Sequence, residues 1–234
     1  MATAPKVKMR RGDLDGLARH VVYPSGIVST GWPAVRDQIA LWGDTFDEWQ
    51  DDLGRAVLAK REDGLYAATV GGVVLSIPRQ VAKTFLVMRI CFALCALFPD
   101  TKILWTAHHN KTLANTFRNF AAFADRAKVA KHIKRVRTGN GNEAVIFNNG
   151  SMILLGARDQ GFGRGFDAVD VIVFDEAQIM NDKALEDMIA ATNQSTHESG
   201  ALLFYMGTPP RKTDAGEAFA KKREDALSGA DEDT

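Results

Sequence analysis

Ser76-Ile77-Pro78-Arg79-Gln80-Val81-Ala82-Lys83-Thr84 (SIPRQVAKT) is the stretch whose reading decides the fold. It follows the aliphatic run Gly71-Gly72-Val73-Val74-Leu75 and opens an apolar stretch from Phe85 to Phe98. A buried strand, a tight turn and a Lys-Thr pair at the start of a helix make a cradle for phosphate. Backbone N–H groups with no intrahelical partner, and the positive end of the helix dipole, face the anion. In such a cradle Lys83 reaches the terminal phosphates and the Thr84 hydroxyl holds Mg²⁺. A lysine in a helix's first turn is disfavoured by the dipole, so an anion is its natural neighbour there. Arg79, inside the turn, contacts phosphate or clamps the loop. The stretch departs from G-x-x-x-x-G-K-[ST] at two positions, with Ile77 for the first glycine and Ala82 for the second. Glycine at the second position lets the backbone approach phosphate and takes unusual φ/ψ freely. Ala82 is therefore expected to crowd the phosphate or strain the turn, at roughly 1–3 kcal/mol.

A second decisive stretch is Val171 to Gln178, VIVFDEAQ, an apolar strand ending in two adjacent acids. Ligands of open parallel sheets bind at the carboxyl ends of strands, where both this pair and the phosphate cradle fall. Asp175 is placed to hold Mg²⁺ with Thr84, and Glu176 to orient and deprotonate a water attacking a γ-phosphate. Phosphoryl transfer also calls for a cation on the equatorial oxygens. The candidates are Arg158 and Arg164, on the glycine-rich segment Gly156 to Asp167, from which an arginine can reach a neighbouring subunit. Gly161-Phe162-Gly163-Arg164-Gly165 is no dinucleotide fingerprint, because it precedes a strand rather than following one. Gly207-Thr208-Pro209 ends a further strand, and Thr208 is a candidate sensor of the γ-phosphate. The cationic stretch from Arg126 to Arg137 either tracks a phosphate backbone or is a helix solvated on one side. His108-His109 receives no role.

Strands and helices alternate along the chain: Val70–Ile77, the helix after it, Lys102–Ala107, a helix through Leu113, Phe117 and Phe120, Val169–Phe174, and Ala201–Met206. Ala184, Leu185, Met188 and Ile189 suggest one more helix. The apolar strands lack alternation, which predicts an α/β fold with a mostly parallel sheet covered by helices on both faces. Asn149-Gly150 between Ala144–Phe147 and Ser151–Gly156 adds a β-hairpin. Upstream, Thr45 with Glu48 reads as a capping box opening a helix to about Lys60, and a short helix is expected near Val35–Trp42. Three parts result: a basic arm and irregular lead-in over 1–44, the core over 45–210, and a charged, frayed helix or tail over 211–234. A chain of 234 residues, 46% hydrophobic and 25% charged, can bury such a core. Its formal net charge of zero means that a polyanion must meet a local basic patch. Cys91 and Cys95, one helical turn apart in an apolar run, read as core thiols and fit a reducing compartment. The Phe85–Phe98 run is too short for a membrane span, and no secretion signal opens the chain.

These motifs together resemble the large terminase subunits of tailed double-stranded DNA bacteriophages. In that family's phosphate loop an Arg-Gln pair, here Arg79-Gln80, precedes x-G-K-[ST], so the missing first glycine is expected and only Ala82 is anomalous. VIVFDEAQ resembles the family's acid-bearing strand, Met206-Gly207-Thr208-Pro209-Pro210 its coupling motif, and FDEWQDDL (Phe46–Leu53) its adenine-contacting segment, which implies that role for Gln50. Arg164-Gly165 resembles the loop proposed to supply an arginine finger in trans. The resemblance implies a P-loop NTPase fold (ASCE, RecA-like) that uses ATP and Mg²⁺ to drive double-stranded DNA into a procapsid. It implies a homo-oligomeric ring working with the portal protein and the small terminase subunit, at the procapsid portal in the host cytoplasm and away from any membrane. The family's nuclease domain is not expected in this chain, so no cleavage activity is. Two alternatives stand beside it. One is a helicase-type translocase, since DEAQ also resembles the helicase motif; the other is an ATP-binding assembly module with weak hydrolysis because of Ala82.

Overall fold

The structure, a computed structural model, describes residues 14, 18–69, 71–139, 141, 143–158, 162, 165–180, 185, 188–211, 214 and 216–228. Arg164 and Ala184 lie outside the described residues. The elements in chain order are β1 (Ser29–Thr30), α1 (Trp32–Leu41), α2 (Glu48–Val57), β2 (Ala59–Lys60), β3 (Val73–Ser76), α3 (Lys83–Leu97), β4 (Lys102–Ala107), α4 (Asn110–Ala124), α5 (Ala127–Ala130), β5 (Ile133–Arg137), β6 (Ala144–Phe147), β7 (Met152–Ala157), β8 (Val171–Asp175), β9 (Leu202–Gly207) and α6 (Glu217–Ser228).

Seven strands form one sheet in the order β3-β9-β8-β4-β7-β6-β5. The first five run parallel, and β6 and β5 extend the sheet antiparallel. The expected hairpin is present as β6 and β7, but β7 also pairs in parallel with β4. A smaller two-stranded sheet joins β1 to β2. Side chains alternate between two cores, as a strand covered on both faces requires. Ile103, Trp105, Val171, Val173, Phe204 and Met206 enter one cluster, and Leu104, Ile172, Phe174, Leu203 and Tyr205 enter the other. In α3 every residue from Leu86 to Cys95 is buried, all of them apolar but Arg89, so this helix is covered all round. Burial pushes the Cys91 and Cys95 thiols up, consistent with core thiols. No helix of the described residues is long and apolar enough to cross a membrane.

Several local expectations shift. The helix expected near Val35–Trp42 starts earlier, at Trp32, with Pro33 in its first turn, because proline suits a helix start that has no carbonyl partner to offer. In α2 the N-cap is Asp47, not Thr45, and Gln50 closes the box by accepting the Asp47 N–H at 3.0 Å. The cationic stretch is not one helix; it splits into the one-turn α5 and the edge strand β5. Within the C-terminal segment, Glu217–Ser228 form a docked helix, α6. Phe219 is fully buried in the second core, worth about 2–3 kcal/mol, and its ring would meet a Cβ on Gly207 at 2.7 Å. Gly207 must therefore be glycine for α6 to seat.

Candidate active site

Because the five leading strands are parallel, their carboxyl ends gather on one side of the sheet. Ser76 lies beside Gly207, Asp175 beside Met206, and Ala107 beside Ala157. The phosphate-loop strand β3 and the acid strand β8 are not neighbours; β9 stands between them. The turn after β9 is thus placed to touch both. The Ile77 N–H donates to the Gly207 carbonyl at 3.2 Å. The Thr208 N–H donates to Oε1 of Gln178 at 3.3 Å. Gln178 is buried and also accepts the Gly216 N–H through its carbonyl, at 3.0 Å. A polar chain from the phosphate loop to the acid turn results, with Gly207 and Thr208 in its middle. Sequence reasoning missed Gln178, although its position two residues beyond Glu176 was the available signal.

The loop after β3 ends in the N-cap of α3, which is Ala82 at φ 58°, ψ 23°, with no side-chain cap bond. The first N–H groups of this 15-residue helix are thus left for a ligand. Gln80 is also left-handed, at φ 64°. Left-handed backbone costs a residue with a Cβ roughly 1–2 kcal/mol, so the strain expected of Ala82 is realised in its backbone. Arg79 and Gln80 are exposed, and Val81, Lys83 and Thr84 are half-buried. Lys83 folds back to give its Nζ to the Pro78 carbonyl at 3.3 Å. Burial lowers its pKa and Arg79 lowers it further, while Asp175 opposes both.

Asp175 is 7% exposed. Burial pushes its carboxyl up to about 6; the Glu176 N–H, donated at 3.0 Å, opposes the rise, the Glu176 charge adds to it, and Lys83 and Arg158 oppose it again. Glu176 is left-handed at φ 55°, ψ 42°, where it caps a short 3₁₀ turn over Ala177–Ile179. Among the described residues, three of the five left-handed non-glycine residues, Gln80, Ala82 and Glu176, lie at these strand ends. Strain concentrated in this way marks a functional site. The Thr112 hydroxyl of α4 donates to Oε1 of Glu176 at 3.3 Å, while Oε2 is buried with no partner among the described residues. One carboxylate oxygen is oriented and the other is a buried acceptor with its hydrogen-bonding capacity unused. An incompletely neutralised buried aspartate, a desolvated lysine and an open helix N-terminus fit a divalent cation with a phosphate chain.

Arg158 differs most from expectation. It is 8% exposed rather than presented on a loop. Nη1 donates to the Thr106 carbonyl at 3.1 Å and to its Oγ1 at 2.8 Å; Nη2 donates to the carbonyl of Asp175 at 2.7 Å and of Glu176 at 3.4 Å. The cause is topological. Arg158 directly follows β7, which pairs with β4, so its side chain lies across the ends of β4 and β8 and ties the acid turn in place. Phe162 packs on the end of β7, its ring lying where a Cβ on Gly156 would stand.

The adenine candidate Gln50 is buried on α2. Phe46, just ahead of that helix, packs edge-on against Phe85 of α3 with centroids 6.0 Å apart. The upstream segment is thereby brought beside the phosphate-loop helix, but the Gln50 amide oxygen is already committed to Asp47. Pro209 continues the β9 turn and is exposed.

The sheet and the site together define a P-loop NTPase-type α/β fold. No protein-family model and no curated protein matches the sequence. Among solved structures, the fold is similar to the large terminase of bacteriophage HK97, at TM-score 0.66 and 16% identity, over 86% of this chain and 42% of that one. It is also similar to the large terminase ATPase domain of Thermus phage P74-26, at TM-score 0.53 and 15% identity, over 74% of this chain and 68% of that one. The likeness at these identities is one of fold: the chain is built as large terminase ATPase domains are. It spans less than half the length of the HK97 protein.

Proposed function

We propose that the chain is the ATPase domain of a large terminase, hydrolysing ATP to move double-stranded DNA into a viral procapsid. The observation that carries the reading is the meeting, at one set of strand ends, of a strained phosphate loop with an acid pair. One carboxylate of that pair is under-neutralised and the other keeps a free buried oxygen. Lys83, with Arg79 and the backbone of Gln80, Val81 and Ala82, binds the phosphate chain. Thr84 and Asp175 hold Mg²⁺, which when bound neutralises charge on the phosphate oxygens. Glu176, oriented by Thr112, takes the proton of the attacking water. Thr208 links the site to the acid turn through Gln178, so a change at the phosphate is relayed along the polar chain between them. Gln50 faces the base through its free amide hydrogens.

Arg158 acts within its own subunit by holding the Asp175-Glu176 turn, and the finger supplied in trans is assigned to Arg164. A ring of copies, docked on a portal protein and fed by a small terminase subunit, places the activity at the procapsid in the host cytoplasm. Nuclease activity is assigned to no residue of this chain. A second reading, an ATP-binding assembly module with weak hydrolysis, is favoured by one observation, Ala82 at φ 58°.

Steady-state ATP hydrolysis measured across protein concentration, with and without duplex DNA, tests the proposal. Slow turnover that rises more steeply than linearly with protein supports a site completed between subunits. Nucleotide binding without turnover supports the assembly module, and strand displacement revives the helicase-type translocase. Mixing an Arg164→Ala chain with a Glu176→Gln chain is expected to restore part of the turnover. Absence of rescue in a proven assembly assigns Arg164 to its own subunit or to no step.

A further inference from the structure

We propose that Lys128, Lys131, Lys134 and Arg135 form the surface that tracks the phosphate backbone of duplex DNA. The inference rests on the packaging-ATPase reading and names the part of the chain that touches the substrate. Between Arg126 and Arg137 the sequence holds six cations and no carboxylate, in a chain of formal net charge zero.

The fold sorts these cations into two groups. Arg126 is paired with Asp44 at 2.7 Å and lies over the Phe123 ring. His132 packs edge-on against Trp42, and burial, with Lys131 beside it, lowers its imidazole pKa. Arg137 is half-buried at the end of the strand. Lys128, Lys131, Lys134 and Arg135 are all exposed.

A register slip in β5 doubles the outward charge. Ile133 faces Phe147, but Arg135 faces Ile146, so β5 carries one extra residue at Lys134. Ile133 and Val136 both pack on the core, while Lys134 and Arg135 both point to solvent. A regular strand would alternate and turn one of the two cations inward. Bulges and lysines also deter edge pairing, but Lys128 and Lys131 precede the strand and have no such use. The match is one of charge complementarity: four solvated cations, in a stretch without a carboxylate, against a continuous line of phosphates.

The test is binding of a short fluorescent duplex to the full chain across a salt series. The quadruple variant Lys128→Ala, Lys131→Ala, Lys134→Ala, Arg135→Ala is expected to bind more than about tenfold more weakly at low salt. Its log K against log[salt] slope should flatten by about 3–4, since each phosphate contact contributes about 0.9. Lys→Arg changes at 128, 131 and 134 should keep the wild-type slope, and Lys221→Ala on α6 should change nothing. Should the quadruple variant fail to fold, Lys134→Glu and Arg135→Glu, tested singly, are each expected to weaken binding and flatten the slope. Wild-type affinity and slope in folded variants would overturn the surface while leaving the motor reading intact. Absence of duplex binding by the wild-type chain would overturn both, with ATP hydrolysis then reporting on the nucleotide site alone.

Discussion

At the carboxyl ends of β3, β8 and β9 the chain holds Gln80, Ala82 and Glu176 in left-handed backbone and buries a carboxylate that its neighbours only partly neutralise. At the other edge of the sheet, along β5, Lys134 and Arg135 stand in solvent, and no described residue from 126 to 138 has a positive φ. The first region stores free energy and the second does not. Six strand spacings, roughly 29 Å, separate the two edges, yet α3 leads from one toward the other. Its buried Arg89 donates to Asp44 at 2.5 Å, and Asp44 also accepts from Arg126 at the head of the cationic segment. Burial raises the Asp44 carboxyl, but hydrogen bonds from Arg126 and Arg89 outweigh it and hold the group below its ordinary value. A site arranged for a ligand is costly to the empty fold, whereas a surface arranged for a polyanion is neutral to it.

That contrast is broken most directly at Glu176. Glu176→Gln keeps an acceptor for Thr112 but removes the base, so turnover should fall by about 10²–10⁴ while ATP binding persists. Retained turnover in a steady-state assay would take the base assignment away from Glu176.

Asp175→Asn should separate function from stability. The carboxyl titrates near 6 in the fold against 3.8 ordinarily, so the folded state holds the proton more tightly than the unfolded chain. The ionised group therefore destabilises the fold fully above pH 6, and the penalty disappears as pH falls below about 4. Asn removes it, and the empty protein should gain about 2–3 kcal/mol at pH 8 and almost nothing at pH 4, while hydrolysis is lost. Denaturant unfolding at the two pH values measures this. Equal gains at both would mean that packing, not charge, is responsible.

Ala82→Gly sharpens the same point on a smaller scale. Relief of the left-handed strain, roughly 1–2 kcal/mol, is offset by the greater freedom of glycine in the unfolded chain, about 0.4–1 kcal/mol. A net gain of up to about 1.6 kcal/mol is expected in unfolding experiments, with faster turnover or tighter nucleotide binding. No change in either functional measure would remove the steric account of slow hydrolysis.

Most of the sheet was legible because its signals are local. Lys102–Ala107 is β4 with the same bounds, and Asn149-Gly150 marks the hairpin. The apolar strand ending in two acids is β8. What escaped depends on contacts between distant residues. Thr112 reaches Glu176 across 64 positions, and Arg158 reaches Thr106 across 52. A glycine-rich composition pointed to a mobile loop at Arg158, and only the pairing of β7 with β4 turns that side chain inward. The C-terminal helix was obscured for a similar reason, since its charged sequence hides the single ring, Phe219, that docks it. The bulge in β5 is invisible in the sequence because Lys134-Arg135 reads equally well on a solvated helix.

The smallest effect is expected at that bulge. Lys134→Ala with Arg135→Ala should leave unfolding stability within about 0.5 kcal/mol, because both side chains are exposed and neither makes a side-chain hydrogen bond or ion pair among the described residues. The residues that fix the strand, Ile133 and Val136, remain on the core in the double variant. A loss above about 1 kcal/mol would show that the cationic stems cover apolar surface, as long charged side chains can. The edge would then belong with the strand ends as a region whose side chains carry the fold, and the contrast between them would fail. A change within the expected range, together with weaker duplex binding, would show that these cations serve a partner rather than the fold.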